Sequence, residues 1–177
     1  FAGRCLMLIL GLNAYHGDSS ACIVSAGRLV AAVEEERFRR IKHWAGFPAQ
    51  SIAYCLKEAK ATLADVDVIA VNQNSRANLW RKLVYVALNR PDPRFVLDRL
   101  KNRKARSSLE EQLAAAFPGQ TFRGRLRGIE HHLAHLSSAF HVSPFQRAAV
   151  VSVDGFGDFA SAAWGIGDGS AIAIENR

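Results

Sequence analysis

The chain has 177 residues, 49% of them hydrophobic, and a formal net charge of +7. This length and apolar content allow a buried core and exclude a disordered or fibrous chain. The three cysteines, Cys5, Cys22 and Cys55, form no C-x-x-C pair and lie in apolar sequence, which favours free thiols in a reducing compartment over disulfides. We therefore expect a cytoplasmic protein.

The amino-terminal segment, residues 1–12, is apolar but is interrupted by Arg4 and is too short to span a membrane. It lacks the small-residue cleavage pattern of a signal peptide, so a buried strand is predicted instead. The sequence starts without methionine and stops at Arg177, just after a new strand begins. These two features predict a piece of a longer protein.

Three strands and a charged run open the chain. Apolar runs joined by Ala26-Gly27-Arg28 predict a hairpin beside a central strand. The charge run that follows, residues 34–43, is interpreted as a solvated loop with salt-bridged carboxylates. Pro48 and apolar residues at helical spacing then predict a helix to about Leu63. The strands predicted in this part span residues 6–12, 21–25, 29–34 and 65–71.

A basic segment, residues 76–106, has ten basic residues against Asp92 and Asp98, so the rest of the chain is close to neutral. Such a segment can meet phosphate, nucleic acid or an acidic partner. Apolar residues at spacings of three and four predict a helix in its first part. Two further helices are predicted at residues 94–104 and 107–117.

The carboxyl-terminal part begins the opening pattern again, because an apolar strand, an Asp-Gly turn and a hairpin recur from Ala148. A three-strand opening used twice is how actin-like and sugar-kinase-like folds, of the ribonuclease H-like class, build two similar halves around a cleft. An α/β protein is therefore predicted, with a first half (residues 1–147) and the start of a second half (residues 148–177). Its strands are predicted at residues 125–129, 148–153, 160–166 and 171–174.

His131 and His135 give the strongest site signal in the sequence. On a helix they are one turn apart, so both imidazoles point the same way and could hold one ion, whereas His132 lies about 100° around the helix. Histidines at this spacing are often plain surface residues, but Asp154 at the end of the next strand favours a metal site. Two histidines and a carboxylate are typical of Fe(II) when positions stay open, and Zn or Mn is compatible.

Asp154 also begins a glycine-rich string, Asp154-Gly155-Phe156-Gly157-Asp158, which is predicted to be a turn. Its backbone amides could cradle a phosphate because glycine allows a close approach. A plain hairpin turn without a ligand explains the same string. Gly155 and Gly157 are the candidate positions for a nucleotide or phosphate.

Two loops supply weaker candidates. His16 lies in the first predicted turn, which points into the cleft of a two-half nucleotide fold, so it is a candidate general base for an acceptor hydroxyl. Asp18 is the candidate residue to orient it. Lys42 and His43 close the charge run and are candidates for binding an anionic substrate group. A loop histidine without such flanks is more often a passive surface residue.

Four motifs, in this order, resemble the amino-terminal part of the O-carbamoyltransferases, the family of nodulation-factor and antibiotic carbamoyltransferases. The motifs are NAYHGDSSA at 13–21, EEERFRRIKH at 34–43, HHLAHLSSAF at 131–140 and VDG at 153–155. The resemblance covers both ends of the chain and is weakest from Arg76 to Gly124.

This resemblance implies an actin-like catalytic domain that is followed, in a longer parent chain, by an adenylate-forming domain. ATP and carbamoyl phosphate would give a carbamoyl-adenylate in the second domain, and the first would transfer the carbamoyl group to the hydroxyl of a small-molecule acceptor. It also implies an Fe(II)-type ion held by His131 and His135 with aspartates, Asp154 among them, and a role in transfer for His16. Another ligand aspartate and most nucleotide contacts would lie beyond Arg177, so the fragment is expected to be inactive alone.

Other functions stay open at this point. A relative that transfers threonylcarbamoyl to tRNA, or a non-enzymatic module that binds RNA or a protein partner, would use the basic segment on phosphates or acidic groups. That segment has only Trp80, Tyr85 and Phe95 as aromatic residues and no recognised RNA-binding signature, which argues against nucleic acid as a partner. A sugar-kinase-like phosphotransferase is less favoured, because the histidine pair is foreign to it.

Overall fold

The computed structural model describes residues 7–14, 17–72, 109–157 and 160–176. The predictions for His16, Cys5 and Asp158, and those for the basic segment, lie outside these residues. The described residues form two compact units. Of these residues, the first unit comprises 7–71 and 109–127, and the second unit comprises Asn72 and residues from Gly128 onward.

The first unit is built on a five-stranded sheet. Its strands are β1 (Leu8–Asn13), β2 (Ser20–Ser25), β3 (Arg28–Glu34), β4 (Val68–Val71) and β5 (Arg125–Gly128), arranged in the order β3-β2-β1-β4-β5. β2 pairs antiparallel with both of its neighbours, whereas β1 and β4 are parallel. The predicted hairpin turn is present, because Ala26 and Gly27 both have positive φ values, 51° and 76°, as a tight two-residue turn requires.

The helices of the first unit are α1 (Glu36–Arg39), α2 (Ala49–Glu58) and α3 (Leu109–Ala116). The predicted extension of α2 to Leu63 is wrong, because the chain leaves the helix at Lys60, whose φ is +51°. A 3-10 turn, Leu63–Asp65, follows, and Thr62 donates to the Asp65 carboxylate from both its N–H and its hydroxyl, at 2.9 and 2.7 Å. This capped turn delays strand β4 to Val68.

The core of the first unit lies between α2 and the sheet. Alternate residues of β1 and β2, such as Leu10 and Ile23, are fully buried in one cluster with Ile52 and Cys55 of α2. Cys22 and Cys55 are free thiols, as predicted. Burial raises the pKa of the Cys55 thiol to about 11, so this cysteine is a packing residue at neutral pH.

The charge run between β3 and α2 is not simply a solvated loop. It contains helix α1, and Glu35 has no solvent exposure at all. The Glu35 carboxylate accepts hydrogen bonds from the backbone N–H groups of Gln50 and Ser51 in the first turn of α2, at 3.3 and 2.8 Å. Helix α2 has no cap of its own, because Pro48 at its start makes no side-chain capping bond. Glu35 supplies the cap instead, and the prediction that this carboxylate is solvated is therefore wrong.

The second unit places one helix on a three-stranded antiparallel sheet. Its elements are α4 (His131–Phe140), β6 (Arg147–Gly157), β7 (Ala160–Asp168) and β8 (Ala171–Asn176), with the sheet order β6-β7-β8. Leu136 and Phe140 of α4 are buried against Val150 and Ala163 of the sheet. Gly167 allows this approach, because a Cβ there would lie 2.7 Å from ring atoms of Phe140.

Strand β6 is longer than predicted. It continues through Asp154 and Gly155 to Gly157, so the turn expected from residue 154 is wrong. Val153 pairs with Ala162 and Gly157 with Ala160, which leaves residues 154–156 opposite Ser161 alone. The glycine-rich string therefore forms an irregular bulge within the strand rather than a plain turn.

All eight predicted strands are present, and the strand order of the first sheet is that of an actin-like, ribonuclease H-like half. The second sheet repeats the three antiparallel strands of the opening, so the predicted fold class is confirmed. Whether the second half begins at residue 148 stays a prediction. Among the described residues, no helix is long and apolar enough to cross a membrane.

Candidate metal centre

Glu130 fixes where helix α4 begins. It is the residue before the helix, has extended backbone angles, and its carboxylate accepts hydrogen bonds from the N–H groups of His132 and Leu133, at 3.2 and 2.8 Å. Two of the N–H groups that a helix leaves unpaired at its start are thereby satisfied. The first turn, which carries His131, is held in place as a result.

Side chains alternate between the two faces of strand β6, and this alternation places Asp154 on the face that contacts helix α4. Val151 and Val153 are exposed on one face of the strand, whereas Ser152 is buried on the other and contacts α4. Because side chains two residues apart lie on the same face of a strand, Asp154 follows Ser152 toward α4. The bulge begins only at this residue, so it does not reverse that direction.

The three residues predicted as ligands come together. The distances are 2.6 Å from His131 Nε2 to Asp154 Oδ2, 3.3 Å from His135 Nε2 to the same oxygen, and 3.1 Å between the two Nε2 atoms. The His131 side chain is 16% exposed, against 50% for His135 and 40% for Asp154, so the cluster is open to solvent on one side. That these residues hold a metal stays a prediction.

The spacing of the donor atoms is compatible with a divalent ion. His131 Nε2 carries at most one proton, so it cannot donate to both the Asp154 carboxylate and the His135 nitrogen. Two ligand atoms bound to one ion at about 2.1 Å stand about 3.0–3.4 Å apart in octahedral or tetrahedral geometry. The separations of 3.1 and 3.3 Å match this range, whereas the 2.6 Å contact is a short, charge-assisted hydrogen bond.

Hydrogen bonds keep the Asp154 carboxylate ionised. The bond from His131, and then the bond from the backbone N–H of Gly155 to Oδ1 at 2.6 Å, lower the pKa of Asp154 to about 2. Because Gly155 takes up Oδ1, Oδ2 is the atom that faces both histidines. Two imidazoles and one carboxylate oxygen form a donor set suited to Fe(II), Zn or Mn.

Asp18 and His43, predicted to have separate roles, form a pair in the first unit. His43 Nδ1 lies 2.9 Å from Asp18 Oδ1, and both side chains are exposed. This hydrogen bond and the charge of Asp18 raise the pKa of His43. Asp18 therefore has a histidine partner other than the predicted His16, and Lys42, next to His43, is exposed as well.

Sequence reasoning missed two residues around the candidate metal cluster, Glu130 and Ser152, and the burial of a third, His132. Glutamate is not among the favoured N-cap residues, so no signal marked Glu130. Ser152 could have been predicted from the sequence, because it lies two residues before Asp154 and therefore on the same face of the strand. His132 was placed correctly away from the ligand pair, but its burial against Ser152 was not foreseen.

The structure brings two histidines and one carboxylate together within the second unit of a protein with an actin-like fold. The sequence matches the carbamoyltransferase N-terminus family over residues 8–177, and the chain belongs to this family. The predicted family is thereby confirmed.

The relatives extend well beyond the matched region. The chain is 36% identical over 177 aligned residues to the uncharacterized protein sll1178 of Synechocystis sp., with 93% of this chain and 28% of that protein covered. It is 36% identical over 163 residues to the nodulation protein NolNO of Sinorhizobium fredii, with 90% and 22% covered. The chain thus spans about a quarter of each relative. Among solved structures, YeaZ from Pseudomonas aeruginosa aligns with a TM-score of 0.49 at 15% identity, over 97% of this chain and 65% of that one.

Proposed function

We propose that the chain is the amino-terminal part of an ATP- and metal-dependent O-carbamoyltransferase. The parent enzyme would transfer a carbamoyl group from carbamoyl phosphate, through a carbamoyl-adenylate, to the hydroxyl of a small-molecule acceptor. The observation that carries this proposal is the convergence of His131, His135 and Asp154 on one point in a member of the carbamoyltransferase family. Formation of the adenylate is assigned to a carboxy-terminal domain of a longer parent chain, without which this part would be inactive.

The transfer step requires a proton acceptor and stabilisation of charge. The acceptor oxygen forms a bond to the carbamoyl carbon, the bond from that carbon to the adenylate oxygen breaks, AMP leaves, and the hydroxyl proton is taken up. His16, which lies outside the described residues, is the proposed proton acceptor. A divalent ion held by His131, His135 and Asp154 would supply Lewis-acid stabilisation of negative charge on a carbamoyl or phosphate oxygen.

The described residues would contribute binding and orientation. His131 and His135 through Nε2, and Asp154 through Oδ2, would hold the ion in a fixed direction. Lys42 and His43 would bind an anionic group of the substrate, a role that the raised pKa of His43 supports because it favours the charged imidazolium. Gly157 stays a candidate for backbone contact with a phosphate, whereas the backbone N–H of Gly155, the other predicted position, is bound to Asp154 Oδ1.

The proposal is tested by measuring ATP- and carbamoyl-phosphate-dependent carbamoylation of hydroxyl acceptors by the longer parent chain. The double variant His131→Ala/His135→Ala should lower the rate by at least about 100-fold, since it removes both nitrogen ligands. His141→Ala is the matched control, because His141 caps the other end of the same helix and should leave the rate unchanged. Unchanged activity in the double variant would remove the metal from the proposed mechanism.

A further inference from the structure

His132 is a fully buried histidine between helix α4 and strand β6. Its exposure is 0%, and that of its partner Ser152 is 7%. Its Nδ1 lies 2.9 Å from the Ser152 hydroxyl. Among the described residues, its Nε2 is buried without a hydrogen-bond partner.

Stability does not explain an imidazole at this position. A buried polar atom without a partner destabilises a fold, and an apolar side chain of similar size would fill the site without that cost. His131 and His135 contact Asp154 at the partly exposed end of the interface between α4 and β6, whereas its buried part is formed by apolar residues, with Leu136 and Phe140 against Val150. The residue type at position 132 therefore points to a role other than packing.

His132 and Ser152 sit beside the predicted ligands on both elements. His132 follows His131 on α4, and Ser152 lies two residues before Asp154 on the same face of β6. Their hydrogen bond thus joins the helix that carries two ligands to the strand that carries the third. In addition, the His132 ring meets the His131 ring edge to face, with centroids 5.4 Å apart, which restricts rotation of His131.

We propose that His132 is a positioning residue, which sets the distance between the histidine pair and Asp154 through its bond to Ser152. The functional importance of His132 rests on the metal role proposed above. The distance between the histidine pair and Asp154, however, can be examined in the chain without an ion. His132 itself binds neither metal nor substrate.

Two variants of the 177-residue chain separate positioning from packing. His132→Leu keeps an apolar filling and removes the hydrogen bond, whereas His132→Asn places an amide where Nδ1 lies and can keep the bond to Ser152. Co²⁺ affinity is measured by absorbance titration, and thermal unfolding is followed in parallel. We expect about tenfold weaker Co²⁺ binding for His132→Leu, with its unfolding midpoint shifted by no more than about 4 °C, and recovery of most of the affinity in His132→Asn.

Unchanged Co²⁺ affinity in His132→Leu would overturn the proposal, and so would a large fall in its unfolding midpoint, because either result makes His132 a packing residue. A second measurement uses the ion-free chain: the ¹⁵N chemical shifts of the His131 ring report its hydrogen bond to Asp154. That bond should be disturbed in His132→Leu and retained in His132→Asn. If the wild-type chain does not bind Co²⁺, the three residues do not hold an ion without the further ligand expected beyond Arg177, and the ¹⁵N shifts of the ion-free chain decide whether His132 positions His131.

Discussion

Glu35 in the first unit and His132 in the second are both polar side chains without solvent exposure, and they differ in how far their hydrogen-bonding capacity is met. The Glu35 carboxylate accepts from Ser51 N–H and Oγ at 2.8 and 2.9 Å, from Gln50 N–H at 3.3 Å and from Arg39 Nε at 2.9 Å. His132 uses one ring nitrogen on a serine hydroxyl, and within the described residues the other has no partner. A satisfied buried group is explained by stability, whereas a half-satisfied one calls for a functional reason.

The Glu35 network joins three elements of the first unit. Its carboxylate sits at the amino end of α2, where a negative charge is favoured by the helix dipole. Arg39, which it binds, comes from the end of α1 and lies over the Trp44 ring with its guanidinium 4.3 Å from the centroid. Removal of this one carboxylate therefore disturbs α1, α2 and the loop between them.

The largest expected effect is that of Glu35→Ala, which should lower the free energy of unfolding by about 2–4 kcal/mol, because it leaves the buried N–H and hydroxyl of Ser51 without their acceptor and removes the partner of the partly exposed Arg39. Urea unfolding of the 177-residue chain measures it. The neighbouring Glu34→Ala is the matched control, because Glu34 pairs with Arg37 on the surface, at 3.0 Å, and should cost less than about 1 kcal/mol. Similar losses in the two variants would show that the Glu35 network is not a structural centre.

A smaller loss of stability is expected in the second unit, where removal of the buried polar group His132 should be stabilising once its partner is gone. Ser152→Ala should cost about 1–3 kcal/mol, because it leaves His132 buried without its serine partner. Adding His132→Leu should recover part of this loss, since it removes the unpaired group. A double-mutant cycle by urea unfolding measures the coupling. If the double variant is less stable than Ser152→Ala alone, then His132 contributes to stability in other ways, and the contrast with Glu35 fails.

The fold was predictable where burial repeats with the period of the backbone. Strands β1 and β2 and helix α4 follow apolar patterns that the sequence shows directly, and the hairpin at Ala26-Gly27 follows from turn chemistry. The ends of α2 and β6 were not predictable. They depend on a left-handed Lys60 and on a bulge after Val153, neither of which has a periodic signal.

The predicted ligands of the candidate site could be identified from the sequence, but the residues that hold those ligands in place could not. His131 and His135 are set by helical spacing, and the approach of Asp154 follows from strand order. Ser152 acts through a contact between two elements, which no local pattern records. Glu130 caps its own helix, but glutamate is not among the favoured N-cap residues, so its residue type gave no signal. The same holds for Glu35, whose partners in α2 lie 15 and 16 residues further along the chain.

The smallest effect concerns an exposed pair, Asp18 and His43, which contrasts with both buried groups. The hydrogen bond and charge of Asp18 raise the pKa of His43, and Glu36 adds a weaker contribution. Because the folded pKa is the higher one, any stabilisation by this pair is complete below the unfolded pKa of about 6.5 and is lost as pH rises through the folded value. Both side chains are open to water, so the change in stability should be slight.

NMR titration of the His43 ring tests this pair without relying on stability. Asp18→Asn should lower the pKa of His43 toward about 6.5, since it removes the charge and keeps the shape. Asn also tolerates the left-handed backbone of residue 18, whose φ is +62°, so the loop should be preserved. Glu36→Gln is the control and should lower the His43 pKa less, because Glu36 is the weaker contributor. An unchanged titration in Asp18→Asn would mean that the pair does not form in solution, and Asp18 would then be available to orient His16 instead.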